Sequence, residues 1–260
     1  MDYETILVRR ADAALVITMN RPERRNAINS KMMDELVAAL RGGEGDDEVR
    51  AVIITGGSEF FSAGADLKEA GERRTAVDAM RMLKSWRRVT NTLEELARPV
   101  IAAIEGFCLT GGLELALACD IRIASATARF GLTQLQHGLM PHQGGTQRLP
   151  RLIGRGKALE LILTGAIFDS AEAARIGLVS QVAPATEAAE EASKLALRMA
   201  AMAPYSLRFA KEAINKGMDM TMDQGLRLEA DLYFLMQTTR DRVEGITCYL
   251  QKKAPHFEGR

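Results

Sequence analysis

The sequence predicts an α/β fold, a largely parallel sheet followed by a helical tail. Three observations carry this prediction. Short continuous apolar runs recur as "AVIIT" and "PVIAAI", each too short for a buried helix and too uniformly apolar for a half-exposed strand, and "IRIAS" reads as a further strand. The first two run through a glycine-bearing loop into a helical pattern, which is the grammar of strands joined by helices. No strand signal follows about Val182, whereas apolar stripes at helical spacing continue to the end.

Taken in order, "TILVRRADAALVITMNRP" reads as two β-rich runs joined at Ala11 and Asp12 and closed by Pro22, an opening hairpin. "NSKMMDELVAALRGG" is a helix capped by Asn29 or Ser30, with Met32, Met33, Leu36, Val37 and Leu40 on one face and glycines as its stop. "VRAVIITGG" is a buried strand leading through "SEFFSAGADLKEA" into helix. "DAMRMLKSWRRVTNTLEELARP" is a helix with Leu83, Trp86, Val89 or Thr90, Leu93 and Leu96 inward and Lys84, Arg87 and Arg88 on the solvated face. Then "RPVIAAIEGF" repeats the strand, "CLTGG" the loop, "LELALACD" the helix from about Gly112, and "IRIAS" the next strand. Ligands of such sheets sit where strand ends meet helix N-termini, the position of "SAGAD" and "LTGG". Residues 1–199 are assigned to the core and 200–260 to a helical oligomerisation region.

Composition narrows the function classes. Lysine plus arginine and aspartate plus glutamate both number 34, which removes the electrostatic pull expected of a nucleic-acid or membrane-surface binder and favours a small-molecule ligand. Cys108, Cys119 and Cys248 match no zinc or redox spacing and read as small core residues in a reducing compartment. No apolar run approaches the ~18 residues of a membrane span, so a cytoplasmic location is expected.

Two segments carry chemistry. In "TGGLELALACD" a first-turn helix position puts Glu114 beside Leu117 and Ala118, a costly setting for a carboxylate unless something uses it; a plain exposed first-turn acid is the alternative. "FGLTQLQHGLMPHQGGTQ", residues 130–147, holds four glutamines and two of the three histidines but no acid.

Ordered matches across nearly the whole chain, "NRPERRNAIN", "FFSAGADLKEA", "AAIEGFCLTGGLELALACDIRIAS", "ARFG", "GGTQRLPRLIGRGKALELILTG", "AARIGLVSQV" and "DRVEGITCYLQKKAPHFEGR", resemble the enoyl-CoA hydratase/isomerase (crotonase) family. The resemblance implies a crotonase-like spiral of β-β-α turns, a C-terminal helical trimerisation region, a homotrimer or two stacked trimers, and an acyl-CoA thioester substrate. It implies no metal and no cofactor beyond the coenzyme A that the substrate itself carries. The family's two oxyanion-hole N–H groups match Ala65 and Gly111, and its first catalytic glutamate matches Glu114. The coenzyme A half is placed near Arg25 and Ala27, along Ala63, Ala65, Asp66, Leu67 and Lys68, and at Gly111, with Lys252, Lys253 and Phe257 closing the site from a neighbouring subunit. Arg25 and Lys68 are its candidate phosphate partners. The acyl pocket falls around "LKEAGERRTAVDAMRML", the stretch least like the family.

The family's second glutamate falls at Gln134. An amide can position water but cannot exchange a proton near neutral pH. His137 and His142 also depart from the family pattern, and His142 reads equally as a proton carrier or as a structural residue. Three readings follow: a hydratase working through Glu114 alone, with Gln134 holding geometry; a specialised dienoyl-CoA substrate or another enolate reaction, such as isomerisation, decarboxylation or thioester hydrolysis; and a non-catalytic acyl-CoA-binding subunit. Simple isomerisation is weakened because the family's isomerases usually keep the second carboxylate.

Overall fold

The structure, a computed structural model, describes residues 3–72 and 75–260. Arg73 and Arg74, inside the stretch assigned above to the acyl pocket, and the N-terminal Met1 and Asp2 lie outside the described residues.

The opening hairpin pairs β1 (Ile6–Ala11) with β2 (Ala14–Met19), and Asp12 turns the corner with a φ of 50°. In helix α1 (Ser30–Glu44) the cap is Asn29, whose side chain accepts from Met32 N at 2.9 Å, and all five predicted apolar residues are buried. Strand β3 (Ala51–Thr55) leads to a short strand β4 (Phe60–Ser62), helix α2 (Leu67–Glu72) and the long helix α3 (Ala76–Glu95). Trp86, Val89, Thr90 and Leu93 of α3 and Leu96 at its C-cap face inward, whereas Leu83, expected with them, is exposed. Lys84, Arg87 and Arg88 are exposed as expected, and Arg88 pairs with Asp34 on α1. The pattern then repeats as β5 (Val100–Ile104), β6 (Phe107–Leu109) and α4 (Gly111–Leu117), and begins again as β7 (Ile121–Ser125) and β8 (Arg129–Gly131). Completing the chain are α5 (Gly145–Ile153), α6 (Arg155–Thr164), β9 (Phe168–Asp169), α7 (Ser170–Arg175), β10 (Gln181–Ala183), α8 (Ala188–Ala200), α9 (Pro204–Gly217), α10 (Met222–Met236) and α11 (Arg240–Gln251).

Long and short strands separate into two sheets. The first runs β1-β2-β3-β5-β7-β10, parallel from β2 onward; the second runs β4-β6-β8-β9, with β9 antiparallel. Each turn of the spiral thus lays a strand in the first sheet and a strand in the second, and the first two turns then continue into helix. Alternation along the central strands divides the core. Val52, Ile54, Ala102 and Ile104 pack with residues of α1 and α3, while Ile53, Ile101, Ala103 and Ile123 pack against Ala188, Ala192 and Ala196 of α8. All three cysteines are buried and free. No helix among the described residues is long and apolar enough to cross a membrane.

Arg122 on β7 fixes α4 to this frame. It is buried, and donates to the carbonyls of Ala116 at 3.2 Å and Cys119 at 2.8 Å at the C-terminal end of α4, and to Leu178 O at 2.8 Å. A cation on a helix C-terminus also complements the helix dipole. Arg122→Leu leaves these carbonyls without that donor and is expected to lower stability by about 3 kcal/mol, read from urea unfolding.

Candidate active site

The ends of the short strands set the site. The loop after β4 reaches Gly64, whose φ of 103° suits glycine, and a side chain there would strike Thr110. Its neighbours are tied down: Ser62 Oγ donates to Asn26 O at 2.7 Å and accepts from Gly64 N at 3.0 Å, and Thr110 Oγ1 donates to Ala63 O at 3.0 Å. Ile28 N donates to Gly64 O at 2.7 Å and Asp66 N donates to Ile28 O at 3.0 Å. In a parallel bridge of this register the residue between, Ala65, turns its own N–H to the opposite side. Gly111 opens α4, so its N–H lies in the first turn, where helices leave donors unpaired. A Cβ on Gly111 would sit 3.2 Å from Ala65 N and 3.2 Å from the edge of the Trp86 ring, so the two predicted donors are neighbours beside an indole wall.

One turn along α4, Glu114 is 0% exposed, which removes the exposed first-turn reading. Its Oε1 accepts from Gln143 N at 2.8 Å and Gly145 N at 2.9 Å, and its Oε2 accepts from Gln134 Nε2 at 2.9 Å. Arg148 on α5 holds this turn in place by donating to Gln143 O at 2.8 Å while pairing with Glu94 of α3 at 2.5 Å. Burial pushes the Glu114 carboxyl up to about 7, against the opposing pull of the N–H groups of Gly145, Gln143 and Gln134 and of the Arg148 charge.

Gln134 therefore stands where the sequence put it, buried and in contact with Glu114; its Oε1 meets no donor among the described residues. His137 is exposed at the end of the 3-10 turn Gln134–His137. Two side chains that sequence reasoning left out of the site belong to it. Gln143 is buried, and with its amide nitrogen toward Glu114 Oε2 at 2.6 Å its oxygen faces Trp86 Nε1 at 3.3 Å and the His142 ring. The reverse orientation would set a carbonyl against a carboxylate. The helix of Trp86 was open to bordering a ligand pocket, but neither the tryptophan on its inward face nor a glutamine among glutamines gave a signal of its own.

The coenzyme A candidates divide into two groups. Ala63 N donates to Arg25 O at 2.9 Å, Arg21 bonds Ala27 O at 2.6 Å and pairs with Asp66 at 3.0 Å, so Arg25, Ala27 and Ala63 to Asp66 form one surface with exposed Arg25, Leu67 and Lys68 on it. Asn26 organises this surface. It is buried in the left-handed region, accepts from Arg21 N at 2.9 Å and donates to the carbonyls of Phe60, at 2.9 Å, and Gly56. Lys253 and Phe257 lie elsewhere in the single chain: Phe257 packs on Gly245 and its carbonyl accepts from Arg50 at 3.5 Å.

A two-sheet spiral whose short-strand ends bring a pair of backbone N–H groups beside a single buried carboxyl defines a crotonase-like protein. The chain belongs to the enoyl-CoA hydratase/isomerase family, whose model matches residues 9–260. It is 42% identical over 262 residues to a probable enoyl-CoA hydratase of Mycobacterium tuberculosis, with 100% of both chains covered. It is 40% identical to the 2,3-dehydroadipyl-CoA hydratase of Escherichia coli, covering 98% of this chain and 99% of that one. The crystal structure of an enoyl-CoA hydratase from Bacillus anthracis superposes with a TM-score of 0.95 at 38% identity, covering 99% of this chain and 100% of that one.

The raised Glu114 carboxyl has a stability signature. A folded-state value above the ordinary one means that the folded protein prefers the neutral acid, so stability falls as pH rises from 4.5 through about 7. Glu114→Gln removes that titration. The stability of the variant relative to the wild type is therefore expected to improve between about pH 5 and about pH 8, by up to about 3 kcal/mol, in urea unfolding at both pH values.

Proposed function

We propose that the protein is an enoyl-CoA hydratase in which Glu114 is the main acid and base. The observation that carries this is a buried carboxyl, pushed up to about 7, one helical turn from a paired set of backbone donors at Ala65 and Gly111. Such a group is half ionised near neutral pH, the condition under which one residue can both take and return a proton. The thioester carbonyl accepts from Ala65 N and Gly111 N. Glu114 takes a proton as a water oxygen bonds to the β-carbon. The C=C electron pair moves toward the thioester, and the enolate oxygen is stabilised by the two N–H groups, a donor of this kind being worth roughly 3 kcal/mol. Glu114 then returns its proton to the α-carbon. Gln134 Oε1 accepts from the second O–H of the water and holds it in line.

Addition of water changes no net oxidation state, so no redox cofactor enters, and coenzyme A arrives with the substrate. Arg25 and Lys68 serve the coenzyme A phosphates, with Ala27, Ala63, Asp66 and Leu67 shaping the same surface. The three free cysteines suit a cytoplasmic enzyme. Gln134 itself favours a second reading, a specialised acyl chain such as a dienoyl-CoA, because an amide replaces the group that would share proton transfer. Residues 1–199 form the catalytic core, whose coenzyme A site Lys253 and Phe257 of a neighbouring subunit close, and 200–260 form the assembly region.

The test is mass-detected water addition across a panel of enoyl-CoA and dienoyl-CoA thioesters. Hydration is expected with kcat/KM rising through pH about 7, and Glu114→Gln is expected to lose it while acyl-CoA binding stays within about tenfold. Gln134→Glu is expected to accelerate crotonyl-CoA hydration by some part of the ~10² to 10⁴ that a placed acid or base supplies; no gain with an intact fold decides for the specialised substrate.

Assembly supplies a separate check. Tyr233 and Phe234 on α10 and Tyr249 and Leu250 on α11 are 68%, 70%, 82% and 75% exposed, more apolar surface than a lone chain normally shows to water. Light scattering at micromolar concentration is expected to give three or six chains; a monomer would count against the trimer.

A further inference from the structure

Around Glu114 the donors outnumber what a working base can hold. An ionised carboxylate offers about four acceptor sites. Gln143 N and Gly145 N occupy Oε1, and Gln134 Nε2 occupies one site on Oε2 at 2.9 Å. Assigned with its nitrogen toward the acid, the Gln143 amide stands 2.6 Å from the same Oε2 and fills the fourth. With all four in place the carboxylate has no site left to accept a proton from water.

Of these donors only the two glutamine amides can swing away by side-chain rotation, and of the two only Gln143 also meets Trp86, which lines the Gly111 site. Both backbone groups belong to a turn pinned by Arg148. The Gln143 side chain moves by rotation about its own bonds with its peptide held in place. Its remaining contacts are the His142 ring and a long one, 3.3 Å, to Trp86 Nε1. Trp86 is also the wall against Gly111, so a thioester seated on Gly111 N lies beside the side chain that steadies the Gln143 oxygen.

We propose that the Gln143 side chain is a placeholder for the attacking water: it occupies the fourth acceptor site of Glu114 in the free enzyme and leaves it when acyl-CoA binds. This rests on the hydratase reading above. Gln143 is a positioning residue, keeping the buried carboxylate satisfied until a substrate is present. Loss of its N–H removes a donor to the ionised form and so raises the Glu114 pKa in the free protein only. Of the charged and titratable groups that bear on this carboxyl, Arg148 with its partner Glu94 is unchanged in the variants, and His142, which reaches it only through the Gln143 amide, loses that link in both variants alike.

The experiment is infrared titration of the Glu114 carboxyl, assigned by subtraction of Glu114→Gln, in wild type and in Gln143→Met, without ligand and saturated with butyryl-CoA, which has no double bond to hydrate. In the free proteins Gln143→Met is expected to titrate about one pH unit above wild type, and in the complexes the two should coincide. A difference that persists in the complex, or none in the free proteins, overturns the proposal. Gln143→Ala must give the same pattern, since it too lacks the donor; a pattern confined to one variant is a packing effect and overturns it equally. Failure of the hydratase reading shows separately, as wild type that adds no water to any enoyl-CoA. If butyryl-CoA does not bind, the acyl-CoA site and the displacement fall together.

Discussion

One buried carboxyl organises this molecule. Glu114 sits in the first turn of α4 with no exposed surface, and burial of an unpaired charge costs far more than a single helix turn can return. It is tolerable because a second segment, Gln134 to Gly145, brings backbone and amide N–H groups to both of its oxygens. That segment is held by Arg148, which reaches across to Glu94 on α3, while α4 is held from its other end by Arg122. The two arginines play opposite electrostatic parts. Arg148 lies near enough to favour the ionised acid, whereas Arg122 spends its donors on the carbonyls at the end of α4 and on Leu178 O.

The second sheet explains why the donors meet. Its strands are two or three residues long, too short to build a core, but they pair β4, β6 and β8 side by side and so align the chain segments that leave them. The loop after β4 presents Ala65, the end of β6 presents Gly111, and the turn after β8 presents Gln134. Side-chain bonds from Asn26, Ser62 and Thr110 to backbone atoms then fix these loops at their roots. Preorganisation of this kind matters because a donor stabilises a developing oxyanion fully only when it need not reorient at the moment of reaction.

Much of this was legible in the sequence, for identifiable reasons. The hairpin, α1 and the central strands follow from apolar periodicity alone, and the composition already excluded a basic binding surface. Glu114 was legible because a carboxylate among leucines is anomalous. The short strands were not read as strands, since "FFS", "FCL" and "RFG" are below the length at which alternation shows a period. Leu83 was misplaced by extending the inward stripe of α3 one turn too far toward its exposed N-terminal half. Gln143 and Trp86 escaped because their importance lies in a contact between distant segments, which no local pattern encodes.

Gln134 is best understood as a matter of charge. A second carboxylate within 2.9 Å of Glu114 would place two like charges in a setting where one is already pushed up to about 7 by burial. Like charges that close cannot both ionise near neutral pH, so one of them would carry a shared proton. An amide of nearly the same shape keeps the hydrogen bond while removing the second charge, and it turns the contact into one that favours the ionised form of Glu114. The pair thereby carries one titrating carboxyl instead of two, its ionisation set by burial against the N–H donors and the Arg148 charge. In such a site the balance between burial and the N–H groups and Arg148 charge around the carboxylate, not a neighbouring carboxyl's protonation state, decides when Glu114 ionises.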